Sequence, residues 1–226
     1  MFHSRPMSAA FHEPEMEERA RRIVETAIEL AEQGGFEAVR LRDVAAHAGV
    51  ALGTLYRRFR SKEDLLVAAL ELETRALEQR VRQRPPKGAE MADRLIDFFA
   101  IATRGMLRRP NLSRAMLKAA ASGEPELAQR VGDFHSNVRR MAVGAMRGTR
   151  VDPDDDSLSD RELLLGDVLN QIWFALMVGW SGGLHNQAAI QAKMHVAVRL
   201  VLGGSDERFQ SSRPGREFEQ RVMERG

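Results

Sequence analysis

The residue that most narrows what this chain can fold into is Gly49, which separates two short segments with one apolar face each. In Leu41 to Ala48, the residues Val44, Ala45 and Ala48 fall on one side of a helix, and their small size lets another helix cross closely. In Leu52 to Phe59, Leu55 and Phe59 form the inner face of a second helix. Gly49 stands at the turn, where a left-handed backbone is needed and glycine alone escapes the steric cost. Val50 plugs the corner. This spacing predicts a helix-turn-helix.

The residues left outside are Leu52, Gly53, Thr54, Tyr56, Arg57 and Arg58. A helix that starts with small residues can enter the major groove of duplex DNA closely. Hydroxyls of Thr54 and Tyr56 then reach base edges or phosphates, flanked by arginines. The charge agrees locally rather than globally. The whole chain has a formal net charge of only +2, but Arg40, Arg42, Arg57, Arg58, Arg60 and Lys62 face one acid, Asp43, between positions 40 and 62. A compact basic patch suits phosphate contact with counterion release.

The rest of the sequence reads at the helical period, with no alternating strand pattern. The fold class expected is all-α, about nine helices. The first runs from about residue 15 to Gln33, stopped by Gly34-Gly35, with Phe36 and Val39 turning back onto its apolar face. After the two short helices, Ser61-Lys62-Glu63-Asp64 reads as a capping box for a long helix reaching about Arg82. Arg84-Pro85-Pro86-Lys87-Gly88 is a linker. Further helices are expected at Met91 to Arg108, Pro110 to Ala121, Pro125 to Gly148, Asp160 to Gly182 and Gln187 to Leu202, with first-turn prolines and a second capping box, Ser159 with Glu162. Residues 1–14 and 204–226 read as polar, disordered tails, and Val151 to Ser159 as an exposed loop. The domains follow: 15–62 a helix-turn-helix unit, 63–203 an effector-binding and dimerisation unit, with 63–82 the connecting helix.

The stretch from Val39 to Leu66, with its Ala-Gly-Val, Gly-Thr-Leu-Tyr, Phe59 and Ser-Lys-Glu-Asp-Leu-Leu, resembles the N-terminal domain of TetR-family transcriptional repressors. The resemblance implies that Gly53 and Thr54 approach bases and that Tyr56 and Lys62 bind phosphate. It also implies a homodimer formed through helices 160–182 and 187–202. Two departures stand out: the family commonly opens each short helix with Ser or Thr, and this chain has Arg40 and Ala51 there. Each lost cap costs about 1 kcal/mol, and Arg42 is placed to replace some of the lost phosphate grip. The second half resembles, more loosely, TetR-type repressors of steroid and lipid catabolism, through Pro-Asn-Leu-Ser-Arg-Ala-Met at 110 to 116, Asp167-Val168-Leu169, and Trp173 to Trp180. That likeness implies a large apolar effector of steroid, fatty acyl or acyl-coenzyme A type.

The residues expected to line its pocket are Phe98, Phe99, Met106, Met116, Met141, Trp173, Phe174 and Met177, since methionine and aromatic side chains adapt to irregular cavities. The same residues at helical spacing also suit a solid core. Arg104, Arg108, Arg109, Arg139 and Arg140 would serve a ligand's phosphates, or remain solvated. Catalytic and metal sites are not expected: there is no His-Glu-x-x-His, no glycine-rich phosphate loop and no cysteine, and the six histidines are scattered. No cofactor is implied. No continuous apolar run reaches the roughly 18 residues of a membrane span, so a cytoplasmic chain with no membrane partner is expected. The reading is a dimeric, ligand-released repressor on a palindromic operator. The alternative is an effector-independent activator or architectural DNA binder with a solid helical core.

Overall fold

The computed structural model describes residues 12–152 and 157–203. Among them are nine α-helices and one 3-10 turn, with no strand: α1 (His12–Ala38), α2 (Leu41–His47), α3 (Leu52–Arg58), α4 (Lys62–Gln83), α5 (Met91–Leu107), α6 (Pro110–Ala120), the 3-10 turn Pro125–Leu127, α7 (Ala128–Arg147), α8 (Asp160–Ser181) and α9 (Gln187–Gly203). The all-α expectation holds. Helix α1 begins earlier than expected, taking in His12 to Pro14, and its axis breaks at Gly34 and Gly35 as their spacing predicts. Residues 1–11 and 204–226, expected to be tails, and positions 153–156 of the expected exposed loop lie outside the described residues. Pro125 opens a 3-10 turn rather than α7 itself, and α7 closes on Gly148 at φ 71°, a left-handed C-cap.

Helices α1 to α3 pack at one end of the molecule, and α5 to α9 form a bundle behind them. Helix α4 belongs to both. Leu65, Leu66, Val67, Ala68, Ala69 and Leu70 are all buried, because α1, α6 and α7 cover this stretch from different sides. Two polar links fix these neighbours. The Glu32 carboxylate accepts the Leu112 amide at 3.1 Å while Asn111 Nδ2 donates to the Glu32 carbonyl, so the start of α6 is hooked to the end of α1. Arg130 of α7 reaches both Asp64 and Glu71 of α4. Deeper in the bundle, Phe98 packs edge-on against Phe99, Phe99 lies beside Trp173, and the Trp173 indole donates to Thr103 Oγ1 at 3.0 Å. The linker is anchored too: Arg94 donates to the carbonyls of Ala145 and Met146 at the end of α7 and to Ala89 in the linker.

Helix α8 is apolar nearly all round and, by length and composition, could cross a membrane. Its geometry explains the composition differently. Leu169, Trp173, Met177 and Trp180 are buried against the bundle, while Leu164 and Val168 lie on the opposite, exposed face.

The two capping boxes differ. At Ser159 both halves form: the hydroxyl accepts from Glu162 N and the Glu162 carboxylate accepts from Ser159 N. At Ser61 the hydroxyl accepts from Asp64 N, but the Asp64 carboxylate accepts from Arg60 N, one residue before the cap. Hydrogen bonds from Arg147 first, and also from Ser159, hold the Glu162 carboxyl at about 2 against the ordinary 4.5. Its folded value is depressed, so its contribution to stability is complete above about pH 4.5 and is lost as pH falls toward 2. Glu162→Gln should therefore cost about 1–2 kcal/mol at pH 7 and less at pH 3, read by urea denaturation. An equal deficit at both pH values would contradict this.

Candidate DNA interface and effector cavity

Helices α2 and α3 meet at the turn the sequence predicts. Gly49 has φ 66°, and the Gly49 and Val50 amides donate to the carbonyls of Ala46 and Ala45, closing the end of α2. Val44, Ala45, Leu55 and Phe59 are buried, with Ala48, Val50 and Leu52 packed against them. Neither Arg40 nor Ala51 makes a side-chain cap, in keeping with the missing hydroxyls. This corner fixes which residues face outward. Gly53, Tyr56, Arg57, Arg58, Arg40 and Arg42 are exposed, Tyr56 to 50%. Arg57 Nη2 donates to Thr54 Oγ1 at 3.1 Å, which orients that hydroxyl. A Cβ on Gly53 would meet nothing within 4 Å, so the protein itself does not require its small size.

Lys62 is placed differently from the other basic residues. Its ammonium lies 3.9 Å from the centre of the Phe36 ring and 3.3 Å from Glu37, while Lys118 of α6 takes the same ring at 4.0 Å and the same carboxylate at 3.1 Å. Hydrogen bonds from Lys118 and Lys62 lower the Glu37 carboxyl below its usual range. The node joins three elements: the end of α1, the first residue of α4, and α6. The sequence marks Phe36 only as a packing residue and gives no sign of Glu37 or Lys118, because 81 residues separate the partners Glu37 and Lys118.

The residues expected to line a pocket are divided by the structure. Phe98, Phe99, Met116, Met141, Trp173 and Met177 are buried, and Met106 and Phe174 are half-buried. Met106 and Trp173 line an interior cavity of about 20 Å³ with Leu70, Leu77 and Phe134. That space holds about one water. Phe99 lines an open groove between α5 and α9, and Met141 a pocket of about 210 Å³ near the linker. Phe98, Met116, Phe174 and Met177 line none of these spaces and serve as packing. Of the arginines named for phosphates, Arg104 and Arg108 line a surface groove of about 510 Å³, Arg109 pairs with Glu73, Arg139 with Asp167, and Arg140 lines the Met141 pocket. Among the described residues no cluster of His, Asp and Glu could hold a metal ion.

Two family models match the chain. Residues 23–69 match the family described as "Bacterial regulatory proteins, tetR family", and residues 88–201 match "Tetracyclin repressor-like, C-terminal domain". The chain belongs to the TetR family. It is a DNA-binding transcriptional repressor of that family, similar to the HTH-type transcriptional repressor KstR of Rhodococcus jostii (strain RHA1), with 32% identity over 191 residues covering 84% of this chain and 86% of that one. KstR of Mycobacterium tuberculosis is 31% identical over 189 residues, covering 84% and 83%. A TetR regulator from Rhodococcus sp. RHA1 superposes with TM-score 0.70 at 29% identity, over 84% of this chain and 98% of that one. The fold is shared with Thermus thermophilus FadR, a TetR repressor in complex with lauroyl-CoA, at TM-score 0.62 and 19% identity, over 81% and 93%. These TetR relatives are transcriptional regulators rather than enzymes.

In this TetR domain Gly49 and Gly53 should behave oppositely. Gly49→Ala must hold a left-handed backbone and should cost about 1 kcal/mol. Gly53→Ala, with open space, should leave stability unchanged or slightly raised. Denaturation midpoints check this, and an equal loss at both sites would contradict it.

Proposed function

We propose that this TetR repressor binds a palindromic operator as a homodimer and is released by a large apolar effector of steroid, fatty acyl or acyl-CoA type, with acyl-CoA favoured. The observation that carries the DNA reading is the outward face of α3, where Gly53, Thr54, Tyr56, Arg57 and Arg58 are set by a turn that buries Leu55 and Phe59. Arg40 and Arg42 flank it, and Lys62 takes phosphate by exchanging Glu37 for it. The dimer reading is supported by an apolar stripe across α8 and α9: Leu164 is 51% exposed, Val168 38%, Val196 55% and Leu200 70%. Exposed apolar residues gathered on adjacent helices mark an interaction surface, and a two-fold pairing would bury the same stripe on both copies.

The effector reading is supported by Met106, Phe134 and Trp173 in the lining of the interior cavity, which Glu73, Thr74 and Arg80 share, and by the acyl-CoA complexes of two TetR structures, T. thermophilus FadR with lauroyl-CoA and Bacillus subtilis FadR with stearoyl-CoA. One observation favours the rival reading of a solid core: the interior cavity is only about 20 Å³. Heat stability separates the two, because a ligand that binds the folded state raises stability with its concentration, and a solid bundle gains nothing.

Purified protein incubated with genomic fragments at physiological salt should retain one palindrome. On that fragment Thr54→Ala should change base preference. Lys62→Ala should weaken all sites alike and lower the salt slope by about 1. Retention of DNA without sequence preference would overturn the operator reading, and an unchanged salt slope would remove Lys62 from the interface.

A further inference from the structure

The interior cavity and the surface groove meet at two residues, Arg80 and Gly105, which line both. The groove outside is strongly basic. Arg80, Arg84, Lys87, Arg104 and Arg108 face a single carboxylate, Asp97, which already accepts the Lys87 backbone amide at 2.9 Å and lies 3.9 Å from Arg104. The cavity inside is walled mainly by Leu70, Leu77, Ala102, Met106, Phe134 and Trp173, with Glu73 and Thr74 also lining it. Between them the Arg80 guanidinium points end-on at Gly105 of α5 through Nη1. A Cβ added at Gly105 would clash with Arg80 Nη1 and with nothing else nearby, so a side chain there must push the Arg80 tip aside. Glu73 holds the guanidinium from the other side at 3.4 Å and also attracts Arg109 at 3.7 Å.

We infer that this basic groove binds the phosphate-bearing head of the effector and that Arg80, seated on Gly105, is the movable plug through which its apolar end enters the bundle. The inference rests on the acyl-CoA reading above and adds where the two ends of such a molecule lie. A flexible, always-charged side chain held by one part-exposed ion pair is easily moved, since such pairs are worth little. A phosphate offers Arg80 a stronger, bidentate partner than Glu73 does. Moving Arg80 outward to that phosphate uncovers the small-residue gap at Gly105 in the same motion. The groove does not compete for the operator: Arg80 lies 18 residues along α4 from Lys62, about 27 Å up the helix axis.

The test uses the full chain with lauroyl-CoA and cholyl-CoA as probes, lauric and cholic acids as their headless counterparts, and calorimetric dissociation constants at two salt concentrations. Arg104→Ala/Arg108→Ala should weaken a thioester at least tenfold, flatten its salt dependence, and leave the free acid within twofold. Gly105→Leu, which fills the gap, should abolish binding of thioester and acid alike. Operator affinity without effector and the melting temperature of Gly105→Leu serve as folding controls. Gly105→Ala, which displaces only the tip of Arg80, supplies a milder variant if Gly105→Leu fails to fold, and should change the thioester affinity at least threefold. Wild-type binding that survives the groove and Gly105 variants unchanged overturns the doorway while leaving the effector reading intact. Failure of the wild type to bind either thioester overturns the effector reading and the doorway with it.

Discussion

From Leu65 to Leu70 helix α4 has no wet side. Leu65 to Leu70 are six consecutive buried residues, whereas a helix on the surface of a soluble protein keeps one polar face. Three neighbours produce this burial: α1 carries the DNA-reading corner, and α6 and α7 belong to the bundle. The two family domains therefore share one continuous core, and α4 cannot tilt without disturbing both. At about 1.5–3 kcal/mol for each large apolar side chain removed from water, the four large aliphatic chains of Leu65, Leu66, Val67 and Leu70 make this junction a major part of the chain's stability.

Polar links around that core turn a packed junction into a directional one. Glu32 holds the first turn of α6, Lys118 and Lys62 grip Phe36 and Glu37, and Arg130 ties α7 to Asp64 and Glu71. These links lie on the side of the bundle nearest the DNA-reading helices. A shift of α4 or α6 caused inside the bundle must then pass to α1 and α3. Packed interfaces change between discrete arrangements more readily than they deform continuously, which suits a switch.

Much of the DNA-reading half was legible in the sequence because its constraints are local. A left-handed turn requires Gly49, a crossing requires the small Ala45 and Ala48, and a cap requires Ser61, each within four residues of its partner. The bundle was legible as helices but not as a site. Phe98, Met116 and Met177 look the same in a sequence whether they line a cavity or fill it, and here they fill it. The contacts that organise the molecule, Glu32 with Leu112, Lys118 with Glu37 and Arg80 on Gly105, join residues 80, 81 and 25 positions apart. No periodicity reports such pairs. Helix α8 was readable as apolar all round, but only packing shows that Trp173 and Met177 point inward while Leu164 and Val168 form a stripe outside.

The proposed switch needs one set of packed helices to couple an effector in the bundle to a DNA duplex on α3. The most direct measurement is a binding cycle: the affinity for the retained operator with and without saturating acyl-CoA, and the affinity for acyl-CoA with and without operator. Linkage requires the two factors to be equal, and each ligand should weaken the other by about 5- to 150-fold. Two ligands that both bind tightly with a factor of one in each direction would contradict it.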